Sequence, residues 1–392
     1  MKKTTIKKEF QKLAIFDILP THQDYLFTIS ILAHKVGMGV HVFCVEQNYN
    51  MFSKLPGADK YISEIKFHVY KKRSPKILYR MWKYLKSEDM ILINNSLYDL
   101  PLRYHVLHIL LFYIFKPIKS MILNTDRTKR WYKDDDEHYN IRSLIRLNIM
   151  KFTLKTFSGL TVNSMKDISY LKDKGYQPNI CYIPWYLKER SDITNIAQEP
   201  SKVDILNFGV VGAIEEERRD YLRLLEIFNQ LWESGRMEYS LELIGRPVGA
   251  YGETVIKICS QYQLKGYPIT FYKKFINMDI FLNRVASINC LISPLNMKTY
   301  TLTQSTAAIT EQIRFNKVAI MPRKYYVSDL SSSTLYYDKI DDIKKIIENE
   351  ISDANKLSKY YDNAVSNAEK YTFHEYMANF TEFVRLITME SS

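Results

Sequence analysis

The sequence predicts an α/β protein made of two doubly wound, Rossmann-like domains that face a cleft. Short apolar segments typical of buried strands alternate with helix-patterned segments along most of the chain, and this alternation favours parallel sheets. A polar stretch at residues 190–203, which contains Pro200, interrupts the alternation and predicts a linker. Because ligands of such sheets bind at the carboxyl ends of the strands, we expect the binding site there.

Residues 1–190 are expected to form the first domain. An apolar run at 13–19 predicts its first strand, and the apolar spacing of 23–35 predicts a helix that Gly37 and Gly39 terminate. Further strands are predicted at 40–45, 90–94, 120–124, 159–164 and 180–183, and a further helix at 165–174.

Residues 204–372 are expected to form the second domain, in which the alternation restarts. The predicted strands are 204–211, 239–244, 268–272, 288–293 and 317–321, and the helices between them are 217–234, 252–263, 277–286 and 304–315. An amphipathic helical tail follows at 339–389, with a break near Tyr371 and Phe373.

Composition indicates a globular protein of the cytoplasm. Hydrophobic residues make up 46% of the 392 residues and charged residues 25%. The longest apolar run, 106–115, is about half the length of a membrane-spanning helix, and we see no secretory signal. The four cysteines are far apart in sequence, which favours buried free thiols over disulfides or a metal site.

The net charge of +12 is concentrated in the first half. Residues 1–200 contain 32 Lys and Arg against 19 Asp and Glu, whereas residues 201–392 contain 23 against 24. A one-sided basic surface favours an anionic partner such as phospholipid headgroups, a lipid-pyrophosphate acceptor or nucleic acid. We see no nucleic-acid-binding motif and expect no such partner. A Lys-rich compositional bias is the alternative explanation.

The segment 103–119 is the strongest candidate for contact with an anionic membrane. Its apolar residues are flanked by Arg103, Lys116 and Lys119, and Lys71, Lys72 and Arg73 precede it in the chain. A buried core helix at 106–115 is the competing interpretation, and the sequence slightly favours it.

Residues 205–322 have the pattern of a phosphate-binding sheet. An apolar strand ends at Gly212 and is followed by a charged segment at 215–220. A second strand leads to Pro294, and a Ser/Thr-rich turn then precedes a helix that contains Glu311. Apolar strands that end in small residues and lead into helix N-termini commonly bind phosphate groups.

This half resembles the donor-binding domain of GT-B glycosyltransferases. The resemblance rests on the order and spacing, over about 120 residues, of the motifs Phe208-Gly209-Val210-Val211-Gly212 with Arg218-Arg219, Leu241-Glu242-Leu243-Ile244-Gly245-Arg246, Leu291-Ile292-Ser293-Pro294-Leu295, and 303–313 with Pro322. The first half resembles the family's acceptor domain in layout. In this family the last helix crosses back to the first domain, which residues 373–392 would do here.

The resemblance implies that the second domain binds a nucleotide-diphosphate sugar. Glu311 would accept hydrogen bonds from the ribose hydroxyls. The remaining implied donor-binding residues are Gly212, Arg218, Arg219, Gly245, Arg246, Pro294, Ser305 and Thr306. Retaining members often have a second Glu where this chain has Thr303, and other members have Lys where it has Gln304. We therefore expect Arg218, Arg219, Arg246 or helix amides to meet the diphosphate charge.

Two residues of the first domain are candidate bases for an acceptor hydroxyl. His22 follows the first predicted strand, and Asp126 follows the strand at 120–124. The acidic segment 134–137 contains an Asp-x-Asp pattern, but no strand precedes it, and we expect no metal site there.

The predicted activity is transfer of a sugar from a nucleotide-diphosphate sugar, which is a substrate, with no cofactor. The acceptor would be a polysaccharide, a lipid-linked glycan or a protein in bacterial surface glycan synthesis, at the cytoplasmic face of the membrane. Retention or inversion and homo-oligomerisation are left open. The alternative is a non-catalytic GT-B-like subunit that binds a transferase or a glycan.

Overall fold

The computed structural model describes residues 12–19, 23–85, 89–93, 100–115, 121–125, 141–176, 179–195, 205–297 and 306–389. These residues divide into two compact units. One contains the described residues up to Tyr186 and those from Phe373 onward, and the other contains the described residues from Leu187 to Thr372.

The first unit is a seven-stranded parallel sheet with helices on both faces. Its strand order is β3-β2-β1-β4-β5-β6-β7. The elements are β1 Lys12–Asp17, α1 Gln23–Lys35, β2 Gly39–Val45, α2 Glu46–Phe52, β3 Lys66–Tyr70, α3 Pro75–Tyr84, β4 Met90–Ile93, α4 Leu102–Ile114, β5 Met121–Thr125, α5 Ile141–Leu154, β6 Gly159–Val162, α6 Met165–Asp173 and β7 Asn179–Tyr182. A short 3-10 helix spans Ala58–Lys60.

The second unit is a six-stranded parallel sheet of order β10-β9-β8-β11-β12-β13. Its elements are α7 Asp192–Asn195, β8 Leu206–Val211, α8 Tyr221–Glu233, β9 Tyr239–Ile244, α9 Gly249–Leu264, β10 Ile269–Phe271, α10 Met278–Ser287, β11 Cys290–Ile292, α11 Ala307–Phe315, β12 Val318–Pro322, β13 Thr334–Tyr337, α12 Asp342–Asn349 and α13 Ala354–Glu369. Two 3-10 helices, Arg323–Tyr325 and Ser328–Ser333, lie between β12 and β13.

A last helix, α14 Phe373–Met389, completes the first unit. The ring of Phe373 lies against that of Phe27 of α1, and Tyr376 contacts Tyr182 of β7. A Cβ on Gly159 of β6 would lie 2.7 Å from a ring carbon of Phe383, so the helix lies close to the strand at this point. Residues from the two ends of the described chain therefore share one core.

The apolar runs in the sequence account for the positions of the buried strands in both sheets. Strands β1, β4, β8, β9, β11 and β12 are buried almost throughout, as expected for parallel strands covered on both faces. Side-chain caps set several helix starts: Ser74 accepts from Lys76 N, Ser164 from Lys166 N, and Asp220 from Arg223 N. All four cysteines are buried free thiols.

The structure differs from the sequence-based assignment in three respects. The helix predicted from residue 217 begins at Tyr221, because Asp220 caps it and residues 215–220 form a loop. The apolar pattern gave no assignment for residues 46–85, where α2, β3 and α3 lie, or for α5 and β13. The third difference is α4, which buries Tyr104, His105, His108 and Leu111 but exposes its opposite side.

No described helix has both the length and the apolar character needed to cross a bilayer.

Candidate functional site

The second sheet reverses its strand order between β8 and β11. From β8 the chain builds outward through β9 and β10, then returns to the other side of β8 with β11, β12 and β13. In doubly wound sheets, the crevice at such a switch point is where ligands bind, beyond the carboxyl ends of the strands. The loops after β8 and β11 border this point, and they contain Gly212, Arg218, Arg219 and Pro294 of the predicted site.

Hydrogen bonds join these two loops directly. Arg219 and Leu295 form an antiparallel bridge, Asp220 N donates to Pro294 O at 2.9 Å, and Asn296 N donates to Arg218 O at 3.0 Å. The buried Pro294 thus helps to hold the β8 loop, since its carbonyl receives the amide of the residue that caps α8. At the switch point, the two loops are therefore joined by backbone hydrogen bonds between residues about 75 positions apart in sequence.

Gly212 allows the Arg219 side chain to approach the backbone closely. Its φ of 106° lies in the left-handed region, and an added Cβ would lie 3.0 Å from Arg219 Nη2 and 3.1 Å from Nη1. Gly245, at the end of β9, packs against the same turn, because a Cβ there would lie 1.8 Å from Gly212 O. Close packing therefore requires glycine at both predicted positions. At Gly212, the missing side chain leaves room for the Arg219 guanidinium against the backbone at the end of β8.

Arg219 is a buried cation with only 4% of its surface exposed. In the part of the chain that the structure describes, no carboxylate forms an ion pair with it, and its Nε has no hydrogen-bond partner. The neighbouring Tyr221 is fully buried, and its hydroxyl lies within hydrogen-bonding distance of Gly212 O and Ala213 O. Burial raises the pKa of Tyr221 to about 12, opposed by the nearby Arg219. A buried guanidinium without a carboxylate is a strong attractor for an anion.

The adjacent Arg218 has the opposite environment. Its side chain is 45% exposed, and Nε pairs with Glu215 Oε1 at 2.6 Å. Arg246 is also exposed, and it contributes to the site through its carbonyl, which accepts from Ile214 N at 2.9 Å. Of the three predicted arginines, only Arg219 is buried at the switch point.

Ser293, at the end of β11, was not among the predicted site residues. It is 1% exposed, and its Oγ has no hydrogen-bond partner among the described residues. Its amide donates to Ile320 O, and its carbonyl accepts from the Tyr337 hydroxyl at 3.0 Å. A serine followed by proline directly after an apolar strand was the signal that could have identified this second polar group at the switch point.

The start of α11 follows the predicted pattern. Thr306 is buried and accepts from Ala308 N at 3.5 Å, so it caps the helix. Helix α11 packs on β8, β11 and β12, which places it beside the switch point. Ser305 lies outside the described residues, as do Thr303 and Gln304.

Glu311 is buried in α11 and paired with Arg314 one turn later. The two side chains are 3% and 1% exposed, and Arg314 Nη1 lies 2.8 Å from both carboxylate oxygens. The sequence predicted the position of Glu311 but not this partner, although the i, i+3 spacing was available. A carboxylate has further lone pairs, so the pairing orients Glu311 without exhausting its capacity to accept hydrogen bonds.

A buried lysine adjoins this pair. Lys188 Nζ donates to Asn316 Oδ1 at 2.6 Å and to Arg314 O at 3.3 Å. Burial, together with the positive charge of Arg314, lowers the pKa of Lys188 to about 7. Asn316 ends α11 in the left-handed conformation, and its amide donates to Ile193 O. The segment 187–193 is thereby fixed to the end of α11.

Both candidate bases, His22 and Asp126, lie outside the described residues, and so does the acidic segment 134–137. Within the described ranges, no group of three or more His, Cys, Asp or Glu side chains has a metal-binding arrangement.

Comparison with known proteins identifies the fold. No protein-family model and no curated protein sequence matches this chain. Among solved structures, HepE of Anabaena in complex with UDP has a TM-score of 0.64 at 12% identity, covering 95% of this chain and 99% of its own. Sucrose-phosphate synthase of Thermosynechococcus elongatus has a TM-score of 0.64 at 12% identity, covering 97% and 100%.

The α,α-trehalose 6-phosphate synthase of Burkholderia multivorans has a TM-score of 0.61 at 10% identity, covering 98% of this chain and 100% of its own. At these identities the likeness establishes architecture. The chain has the GT-B fold that its sequence predicts, a fold it shares with these glycosyltransferases.

Proposed function

We propose that this protein is a glycosyltransferase that takes its sugar from a nucleotide-diphosphate sugar. The observation that carries the proposal is the buried guanidinium of Arg219 against Gly212, at the switch point of the second sheet. A diphosphate bound there would supply the negative charge that no described carboxylate provides. Arg219 would hold the donor and then stabilise the diphosphate as it leaves, a role that needs a fixed cation in a dry site.

In this proposal Glu311 receives the ribose hydroxyls of the nucleotide. Arg314 holds both carboxylate oxygens, and Lys188 is fixed behind the end of the same helix. Arg314 is therefore a positioning residue, since it acts on the nucleotide only through Glu311. Ser305 and Thr306 would donate hydrogen bonds to the diphosphate.

UDP is the first nucleotide to test, because related folds have been solved with UDP and with UDP-glucose. We further propose that the acceptor is a polysaccharide, a lipid-linked glycan or a protein in bacterial surface glycan synthesis on the cytoplasmic side. His22 and Asp126 are the proposed candidates for the base that deprotonates the acceptor hydroxyl.

One observation favours a second function. The carboxylate proposed to bind ribose is already engaged by a buried arginine, as it would be in a GT-B-like subunit that has kept the fold without the reaction. Release of UDP, GDP or CMP from a panel of nucleotide sugars separates the two functions. Binding without turnover on any donor, with or without acceptor glycans, would support the non-catalytic subunit.

Calorimetric titration with UDP tests the role of Arg219. We expect Arg219→Gln to weaken binding about 10- to 100-fold, equivalent to the roughly 1.5–3 kcal/mol of a charge-assisted hydrogen bond. Arg218→Gln is the matched control, because it removes the same group from the adjacent exposed position and should leave the dissociation constant within about twofold.

Arg219→Lys keeps the charge, and thermal unfolding without ligand shows whether each variant is folded. Recovery of binding in the lysine variant would support the proposed ionic contact. Equal affinities for the folded Arg219→Gln and Arg218→Gln variants would refute the assignment of Arg219 to the donor site.

A further inference from the structure

The outer side of α4 is an apolar surface that the described chain leaves uncovered. Val106, Leu110 and Tyr113 follow one another at helical spacing, and Ile114 adjoins them. Leu110 is 54% exposed and Ile114 is 70% exposed. A helix that is apolar on all sides is normally buried, so an exposed half indicates a surface with a partner.

Helix α5 extends this surface. The ring of Phe152 stacks on that of Tyr113, with centroids 6.2 Å apart and an interplanar angle of 23°. Ile145, two turns before Phe152, is also exposed. These residues form one contiguous patch, which we call the α4–α5 face: Val106, Leu110, Tyr113, Ile114, Ile145 and Phe152.

The three described helices that form and flank this face carry formal charges of one sign. Helices α3, α4 and α5 contain three, one and three Lys or Arg residues, and none contains Asp or Glu. Arg103 lies near the face, and its guanidinium is 5.6 Å from the ring centroid of Tyr104. Lys151 in α5 and Lys155, which directly follows α5, are exposed near the same face. Arg73 also acts electrostatically on Tyr104, which places a further cation near the start of α4.

We propose that the α4–α5 face docks on the surface of an anionic lipid bilayer. The two helices would lie in the plane of the interface with their apolar side chains among the acyl chains, while the lysines and arginines contact lipid phosphates. The 13 residues of α4 are too few to span the hydrocarbon core but suit this orientation. This proposal is independent of the proposed sugar-transfer function.

The charges disfavour a second copy of the chain as the occupant. In a symmetric dimer built on this face, the basic residues of one protomer would meet those of the other, because a two-fold interface pairs a patch with itself. No acidic residue of α3, α4 or α5 is available to neutralise them. An anionic surface instead complements both the apolar centre and the basic margin.

Vesicle flotation tests the proposal with the full chain. We expect binding to vesicles of phosphatidylcholine with about one third phosphatidylglycerol, and at least about tenfold weaker binding to phosphatidylcholine alone. Lys151→Gln/Lys155→Gln should weaken binding by roughly fivefold for each lysine at low salt, and raising the salt to about 0.5 M should reduce the difference. Leu110→Gln/Ile114→Gln should weaken binding at both salt concentrations.

The matched control is Leu264→Gln/Phe275→Gln. These side chains of the second unit are 90% and 71% exposed, so the control removes apolar groups that are at least as exposed from a different surface. It should bind vesicles like the wild type. Equal binding of wild type and Leu110→Gln/Ile114→Gln to anionic vesicles would overturn the proposal.

Light scattering without lipid supplies a second test. A monomer in both wild type and Leu110→Gln/Ile114→Gln agrees with a lipid-binding face. A wild-type dimer that this variant converts to a monomer, with no vesicle binding by either, would assign the face to self-association and overturn the proposal.

Discussion

The two sheets share the strand order of their first six strands, but the described lysines and arginines that are buried all belong to the second unit. In the second unit, several ionisable side chains are buried: Arg219 at the switch point, Glu311 with Arg314 in α11, and Lys188 beside them. In the first unit, the helices α3 to α5 have their lysines and arginines mainly at the surface, beside exposed apolar residues. The same sheet topology therefore carries an exposed basic and apolar surface in the first unit and a candidate binding site with buried charges in the second.

This difference shows where stability and function are coupled. Removing one partner of a buried ion pair strongly lowers the free energy of unfolding, because the remaining ion stays buried without its hydration. An exposed pair remains solvated and contributes little. Substitutions in the second unit should therefore change folding and ligand binding together, whereas those on the outer face of the first unit should separate them.

The largest expected effect comes from Glu311→Gln. Removing the carboxylate leaves Arg314 without its buried ion-pair partner, and we expect a loss of about 3–5 kcal/mol in the free energy of unfolding. Urea unfolding followed by circular dichroism measures it. The matched control is Glu382→Gln in α14, which breaks an exposed pair with Arg385 at the same i, i+3 spacing. If the two variants unfold at the same urea concentration, burial of the pair is not what distinguishes the units.

A smaller effect is expected from Gly245→Ala. The new Cβ would lie 1.8 Å from Gly212 O, a backbone atom that cannot move without shifting the β8 turn, and we expect about 1–3 kcal/mol of destabilisation with weaker UDP binding. Gly159→Ala is the comparison in the first sheet, where the nearest atoms belong to the side chains of Phe383 and Ile387. Thermal unfolding and calorimetry of both variants measure the contrast. Unchanged UDP affinity in folded Gly245→Ala would separate this packing from the donor site.

The smallest effect is a pH dependence from Lys188. Its pKa is about 7 in the folded chain and 10.5 when unperturbed, so between these values the unfolded chain holds the extra proton. Stability from this group therefore rises as the pH increases from 7 toward 10.5. Relative to Lys188→Met, the wild type should gain on the order of 1–2 kcal/mol between pH 7 and pH 9. Parallel stability curves for the two proteins would contradict a lowered pKa at Lys188.

Much of the second unit could be predicted from the sequence because local patterns determine it. The strand at 239–244 has the bounds that were predicted, and Glu311 lies in the expected helix. The inward position of Arg219 could not be predicted, because the bridge to Leu295 depends on a contact between distant segments. Its neighbour Arg218 has the same chemistry and a similar local sequence, yet it is exposed.

The first unit shows a different limit of prediction. The apolar run at 106–115 gave a helix, but periodicity could not determine whether both of its sides were covered. Only the packing of α3 and α5 around α4 shows that Leu110 and Ile114 remain outside. For Leu110 and Ile114, as for Arg219 in the candidate donor site, tertiary packing and not local sequence determines whether the side chain is buried.

The position of α14 also affects how the protein is made. Since Phe373 and Tyr376 pack on α1 and β7, the first unit lacks part of its core until the ribosome has synthesised the whole of the second. The second unit, which needs only the intervening chain, can fold earlier during translation. The order of folding would then be the reverse of the order of synthesis, and a nascent chain arrested before residue 373 would keep the face of β6 and β7 open to chaperones.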